Sequence, residues 1–353
     1  MSQRPLPTGH DRGGFSTQAV AGVANSQQPY PANFPAMHLA CLPHGSSGQT
    51  LRRVLAGVPN AGVLVLPASP SQRDGGQWLL GMMKAVRREL FLQPELQVLA
   101  SVDPAAVEHV TLELARSLCE SHSEATAIGR VHSVTNSTTI VEWLAAGETL
   151  QHQTTGVELD EDATLHTAHV ELGAAPVVEA SESSASIVVA SQLSPGSLAL
   201  AAAYQQLSLD AHDWDQLATV VTLARIVEQP RHAAPLWLEV DEGGKALLVA
   251  LPTLPPGALD ELLQHEQREL AAGNLNADVT VELTDARWEA VSATHFALVG
   301  VKGTPPSGRY TAELFYSLDD SPEQRLWSTT ISKTLVDWDA SVRSAQRWLD
   351  DAS

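Results

Sequence analysis

The side chains in this sequence that could carry chemistry are few, and most are poorly paired. His166 and His169 stand three apart. That spacing converges two imidazoles on a helix but puts them on opposite faces of a strand, and only Glu171 lies near as a third metal ligand. His212-Asp213-Trp214-Asp215 reads as a base flanked by carboxylates, or as the acidic start of a helix at the positive end of its dipole. His265-Glu266 lacks the second histidine of a helical zinc hydrolase motif. Asp160-Glu161-Asp162 lacks the glycine and terminal glutamate of a calcium loop. Ser194-Pro195-Gly196-Ser197 is not a nucleophile elbow, because Pro195 and the missing leading Gly-x break the strained turn. Thr8 to Gly14 looks superficially like a phosphate loop, but no strand delivers it. No catalytic, cofactor-binding or metal-binding residue is assigned, and no cofactor is expected.

Charge says more about partners. The 353 residues carry 21 Lys and Arg against 41 Asp and Glu, a net charge of −20. That excess argues against nucleic acid, where affinity is built from cations on phosphates. Between Val131 and Ala224 there is no Lys or Arg at all, whereas Arg52, Arg53, Arg73, Lys84, Arg87 and Arg88 make the preceding region locally basic. The acidic stretch is either a solvated face or a surface for a protein partner with a basic surface. Asp160, Glu161, Asp162, His212, Asp213 and Asp215 are the candidate interaction residues. No apolar run approaches the roughly 18 residues of a spanning helix, and Met1 to Gln28 has no secretory h-region. The expectation is a cytoplasmic protein with no membrane partner, its Cys41 and Cys119 free thiols.

The elements follow from periodicity. Val63 to Leu66 is an apolar run suited to a strand covered on both faces, and Pro67 ends it. Leu79, Met82, Met83, Val86 and Leu90 keep helical spacing, Leu96 to Val102 reads as a second strand, and strand–helix–strand makes a parallel βαβ unit. Asp103 is an N-cap with Pro104 at N1 of the next helix. Thr126 to Val134 and Ser186 to Ser191 are further strands, and Pro195 to Leu209 a helix. Asp215 caps another helix, with Leu217, Val220, Val221, Ala224 and Val227 as its face. Leu236 to Val240 and Lys245 to Leu251 form a hairpin. Tyr310, Ala312, Leu314, Tyr316 and Leu318 alternate as in an antiparallel meander, and Asp337 or Asp339 starts a last helix. These readings give an α/β N-terminal domain with a partly parallel sheet, followed by an α+β domain with an antiparallel sheet. Their expected bounds are a disordered leader at 1–49, a Rossmann-like domain at 50–148, an acidic linker or exposed strands at 149–185, and the α+β domain at 186–353.

The run from the Val63 strand through "WLLGMMKAVRREL", "LQVLASVDP" and "SEATAIGR" resembles the structural, truncated Rossmann-like subdomain of polyketide-synthase ketoreductase regions. The matching positions are Gly81, Arg87 or Arg88, Glu89, Asp103, Pro104 and Glu124, over about residues 60–135. The resemblance implies a non-catalytic bracing piece in secondary-metabolite biosynthesis. The Tyr, Lys and glycine-rich loop of the catalytic subdomain have no counterpart; Tyr204 has no lysine near it. The expected function is therefore a soluble, non-catalytic structural or interaction protein. The alternatives are a reductase- or transferase-type enzyme of unrecognised site, or an acidic immunity- or chaperone-like binder of a basic protein.

Overall fold

Short apolar runs bounded by turn residues become strands here because helices cover both of their faces. A computed structural model describes residues 37–353 outside 43, 58–61, 68–73, 94, 122–124, 134–136, 146–148, 154, 161, 183, 208, 230–235, 242–244, 251–254, 256, 274–275, 319–324, 333–335 and 337. The strands, in chain order, are β1 (Met37–Cys41), β2 (Val63–Leu66), β3 (Gln97–Ser101), β4 (Ala127–Ser133), β5 (Ala163–Val170), β6 (Ile187–Ala190), β7 (Leu236–Val240), β8 (Ala246–Ala250), β9 (Thr280–Glu282), β10 (Arg287–Ala290), β11 (His295–Val299), β12 (Lys302–Thr304), β13 (Arg309–Leu318), β14 (Arg325–Ser332) and β15 (Trp338–Ser344). The helices are α1 (Gly48–Gly57), α2 (Gln77–Leu92), α3 (Val107–Glu120), α4 (Ser137–Ala145), α5 (Ala175–Glu182), α6 (Ser197–Leu207), α7 (Trp214–Glu228), α8 (Ala258–Ala271) and α9 (Ala345–Asp351).

Ten strands form one sheet in the order β10-β11-β8-β7-β1-β2-β3-β6-β4-β15. Its centre, β1-β2-β3-β6-β4, is parallel throughout. Every residue of β2, β3 and β6 is buried, as expected of strands covered on both faces. Alternate side chains feed two cores. Ala40, Leu64, Val98 and Val189 meet α1, α2, α3 and α9 on one face. Cys41, Val65, Leu99 and Val188 meet α5, α6, α7 and α8 on the other. A smaller sheet, β14-β13-β5, packs over Ile140 of α4, and β12 pairs with β9.

The expected βαβ unit is present, since Val63 to Leu66 pair in parallel with Gln97 to Ala100. Asp103 caps the turn at Pro104, accepting from the Ala105 amide at 2.9 Å. The alternation of β13 also holds, with Tyr310, Ala312, Leu314 and Tyr316 buried. Two expectations need correction, and a third is not confirmed. Met37–Cys41 and the first turn of α1 fall inside the expected leader, and β1 is a buried strand at the edge of the parallel block. The expected division into two domains is not confirmed, because β7, β8, β10, β11 and β15 from the second half complete the first half's sheet. The last helix begins at Ala345 rather than near Asp337, and Trp338–Ser344 is a strand. Trp338, Val342, Ala345 and Leu349 do keep a helical spacing, but β4 offers an open edge. Pairing from Trp338↔Ser133 to Ser344↔Ala127 satisfies backbone groups along seven residues.

Candidate functional site

The sheet's connectivity creates a gap at one point. β3 and β6 are parallel neighbours, yet β3 leads to α3 on one face and β6 leads to α6 on the opposite face. The two loops diverge beyond the carboxyl ends of these strands. In open α/β sheets this switch point is where ligands bind. The β3 side is Ser101, Val102 and Asp103, held by Val102 N donating to Ala190 O at 3.0 Å. The β6 side is Ser191 to Gly196. Ser191 N donates to Val131 O at 2.8 Å, and Ser133, the last residue of β4, donates its amide to Ser191 Oγ at 3.1 Å.

The β6–α6 turn is braced from beneath. Glu228, at the end of α7, accepts the Gly196 amide at 3.0 Å. Asn276 Nδ2 donates to Pro195 O at 3.0 Å. Asp278 accepts from Ser197 Oγ at 2.6 Å and from Ala174 N at 2.8 Å. Gly196 has φ +86°, and a Cβ there would sit 2.8 Å from Val221 O, so only glycine fits. Close by, Arg225 Nε donates to Glu266 at 2.7 Å, and Gln229 also donates to Glu266. Gln192 Nε2 donates to Glu171 at 3.1 Å. Burial pushes the Glu228 and Glu171 carboxyls up to about 7, against the lowering pull of their hydrogen bonds and of Arg225. Burial, with Glu228 beside it, likewise raises the Cys41 thiol.

The β1–α1 loop lies at the same sheet edge. His44 Nε2 is 3.5 Å from Asp74 Oδ2, and its ring lies 4.6 Å from that of Trp78. Asp74 accepts the Gly76 and Trp78 amides, and Trp78 Nε1 donates to Ser46 O at 2.9 Å. Sequence reasoning placed His44 and Ser46 in a leader and so missed this cluster. The signal was an apolar run, Met37 to Leu42, followed by Gly45, Ser46, Ser47 and Gly48 before the apolar stripe Leu51, Val54, Leu55.

The residues singled out from sequence lie elsewhere and do different work. Asp160 Oδ1 accepts the Asp162 amide in an exposed turn before β5, and Glu161 lies outside the described residues. Asp213, not Asp215, caps α7, accepting from Gln216 N at 3.1 Å. Asp215 instead holds β12, taking the Gly303 amide at 2.8 Å and Lys302 Nζ at 2.9 Å. His212 pairs locally with Asp210 at 3.4 Å. His166 and His169 lie on β5 with separate partners: His166 bonds Ser317, and His169 packs edge-on against Phe315. His265 sits 3.7 Å from Glu269, while Glu266 turns to Arg225. Gly81 and Arg87 are exposed on α2; Glu124 and Thr8 to Gly14 lie outside the described residues. No helix among the described residues is long and apolar enough to cross a membrane.

Residues 99–233 match the acyclic terpene utilisation family protein AtuA. No curated protein and no solved structure matches the chain. The AtuA match overturns the likeness to polyketide-synthase ketoreductases. That likeness rested on a strand–helix–strand pattern common to doubly wound sheets in general. The AtuA-like segment runs from the end of β3 through β4, β6, α6 and α7, so it contains both sides of the switch point, together with Glu171 and Glu228.

Proposed function

We propose that the chain binds a small acyclic terpenoid, or a compound made from one, in the crevice between the carboxyl ends of β3 and β6. The observation that carries this reading is the departure of these two parallel neighbours to opposite faces. The similarity to the acyclic terpene utilisation family supports it, because the matched residues span both walls. Three anchors rooted outside the turn, Glu228, Asn276 and Asp278, hold the β6 wall. Pre-formed walls suit a ligand whose own flexibility must be frozen on binding. A dinucleotide reductase is supported less well. The glycine-bearing loop follows β1, whose connection α1 shares a face with α2 and α3, away from the switch.

Amide hydrogen exchange on the full chain tests this. Added acyclic monoterpenoids should protect peptides covering Val102 to Ala105 and Ser191 to Ser197. Protection confined to other segments, or stabilisation by NADPH with protection around Gly45 to Gly48, would replace this reading with the reductase one.

A basic protein partner has one specific support: Glu158, Asp160 and Asp162 are exposed together before β5. A lysine-rich peptide should then bind in a salt-sensitive way, and Asp160→Lys with Glu161→Lys should abolish that binding.

A further inference from the structure

The polar groups under the β6–α6 turn are unevenly satisfied. Arg225 of α7 passes close to Gly196, its Cγ 3.4 Å from where a Cβ on that glycine would sit. The Nε edge of its guanidinium is filled by Glu266 of α8 at 2.7 Å. Nη1, on the other side, is buried with no hydrogen-bond partner among the described residues, the whole side chain being 5% exposed. A buried cationic donor left open is more costly than a neutral one, so its retention beside a switch point marks a place where a ligand atom completes the bond. The turn supplies a second feature. α6 runs for 11 residues from Ser197, and its amino end, where the helix dipole favours negative charge, follows directly on this turn. The edge of the cluster is reachable. Gln192, Pro195 and Glu228 are half-buried, whereas Arg225, Gln229, Glu266 and Asn276 are buried.

An anion here meets carboxyls from several elements. α7 contributes Glu228, α8 contributes Glu266, and the segment after β5 contributes Glu171, with Glu313 of β13 near it. Asp278 accepts from Ser197 and Ala174, and Cys41 of β1 lies near Glu228. Glu266 balances the charge of Arg225, and Gln229 fills its other oxygen. Gln229 Oε1 is also unpartnered, but it only accepts and takes no part in holding an anion. Glu228 and Glu171 differ from the rest. Burial pushes both carboxyls up to about 7, so each carries a proton below neutral pH. Glu228 Oε2 takes the Gly196 amide, which leaves Oε1 to hold that proton. A protonated carboxyl is a donor, so beside Arg225 it bonds an anion instead of repelling it. We infer that Arg225 Nη1, beside the amino end of α6, receives the carboxylate of an acyclic terpenoid acid, and that Glu228 takes up a proton from solvent as the carboxylate enters. This inference rests on the crevice being the ligand site, and it names the head group taken there.

Equilibrium binding of geranate and geraniol to the full-length protein at pH 6 and pH 8 tests it. At pH 6 geranate should bind at least about tenfold tighter than geraniol, the worth of a charge-assisted hydrogen bond. Between pH 6 and pH 8 geranate should weaken roughly tenfold, because above about 7 the proton must come from solvent, whereas geraniol should not change. Arg225→Lys keeps a charge for Glu266 and loses the second donor edge, so geranate should weaken roughly tenfold and geraniol by less than about twofold. Should that variant fail to fold, Glu228→Gln decides in its place. It keeps an acceptor for Gly196 but takes up no proton, so the pH dependence of geranate binding should vanish. Geraniol binding as tightly as geranate at pH 6, or geranate binding alike at both pH values, overturns the carboxylate assignment and leaves the crevice standing. Geranate binding untouched by Arg225→Lys overturns the role of Arg225, and a pH dependence that survives Glu228→Gln overturns that of Glu228. Failure of both ligands to bind the unaltered protein overturns the crevice reading itself.

Discussion

The two helical layers on the large sheet solve burial differently. The layer of α1, α2, α3 and α9 is one helix thick. Its α3 buries Val107, Val110, Thr111, Leu114 and Ala115 and turns Glu108, His109 and Arg116 to solvent. The opposite layer is thicker. α7 packs on the sheet with one side and is covered on the other by α8, with the β12 backbone against its first turn. Residues 220–227 are therefore buried without interruption. A one-deep helix keeps a polar face, whereas an interior helix must bring any polar side chain into the core and satisfy it there. Thr222 returns its hydroxyl to Ala218 O, Arg225 pairs with Glu266, and Glu228 takes Gly196. The thick layer thus holds the buried charge, and that charge lies under the candidate crevice. The thin layer depends on shape.

Trp348 is the sharpest test of the thin layer. It is 3% exposed, donates Nε1 to Ile128 O at 3.2 Å, and lies beneath the guanidinium groups of Arg130 and Arg343 at 4.8 and 4.6 Å. Trp348→Ala should lower unfolding free energy by about 3–5 kcal/mol through the cavity and the lost ring contacts. The cavity and the lost ring contacts involve no carboxyl or imidazole group. Urea unfolding should therefore show the same loss at pH 5 and at pH 8. A loss that changes with pH would mean the two layers are not separable in this way.

The thick layer should show the opposite behaviour. The Glu171 and Glu228 carboxyls are raised by burial from 4.5 to about 7, so between those values the folded state binds more protons than the unfolded chain. Stability therefore falls as pH rises from about 4.5 to 7 and is flat above that, by on the order of 2–3 kcal/mol per group. At the acid end Asp215 acts in reverse. The Gly303 amide and Lys302 hold its carboxyl low, so its contribution disappears as pH falls below the ordinary carboxylate range. Maximum stability is expected near pH 5. Glu228→Gln should remove about half of the decline between pH 5 and 7 while keeping an acceptor for Gly196. An unchanged slope in urea titrations of that variant would show that Glu228 ionises normally.

The same contrast explains what could be read in advance. In the thin layer, local rules and the final structure agree. The α2 face Leu79, Met82, Met83, Val86 was legible because only one side of that helix is covered. In α7 the expected face Leu217, Val220, Val221, Ala224, Val227 is buried, but so are Thr222, Leu223, Arg225 and Ile226. No periodicity reports a second cover arriving from α8, residues later in the chain. β15 was misread because its fate is set by the open edge of β4, a tertiary fact. The candidate crevice was hidden for a related reason. Ser101, Ser133 and Ser191 are far apart in sequence, carry no motif, and become neighbours only when β6 inserts between β3 and β4. The acidic residues chosen from composition were conspicuous for being exposed, and Asp213 and Asp215 turned out to cap and to tether.

The junction between layer and crevice gives the smallest effect, and one that separates stability from binding. Asp103 ends the β3 wall, and its carboxylate accepts the Ala105 amide at 2.9 Å just before α3 begins. Removing such a cap costs about 1 kcal/mol. Pro104 at the next position supplies no amide and already has the backbone angle a helical turn needs, so the turn has a second restraint. Asp103→Ala should therefore lose about that much stability, and Asp103→Asn or Asp103→Ser should recover most of it, since each keeps a short acceptor. If Asp103 serves only the thin layer, ligand affinity in all three variants should match the unaltered protein. Affinity that falls in Asp103→Asn while Tm is restored would place the Asp103 carboxylate in contact with ligand, extending the site from the β6 turn to the β3 wall.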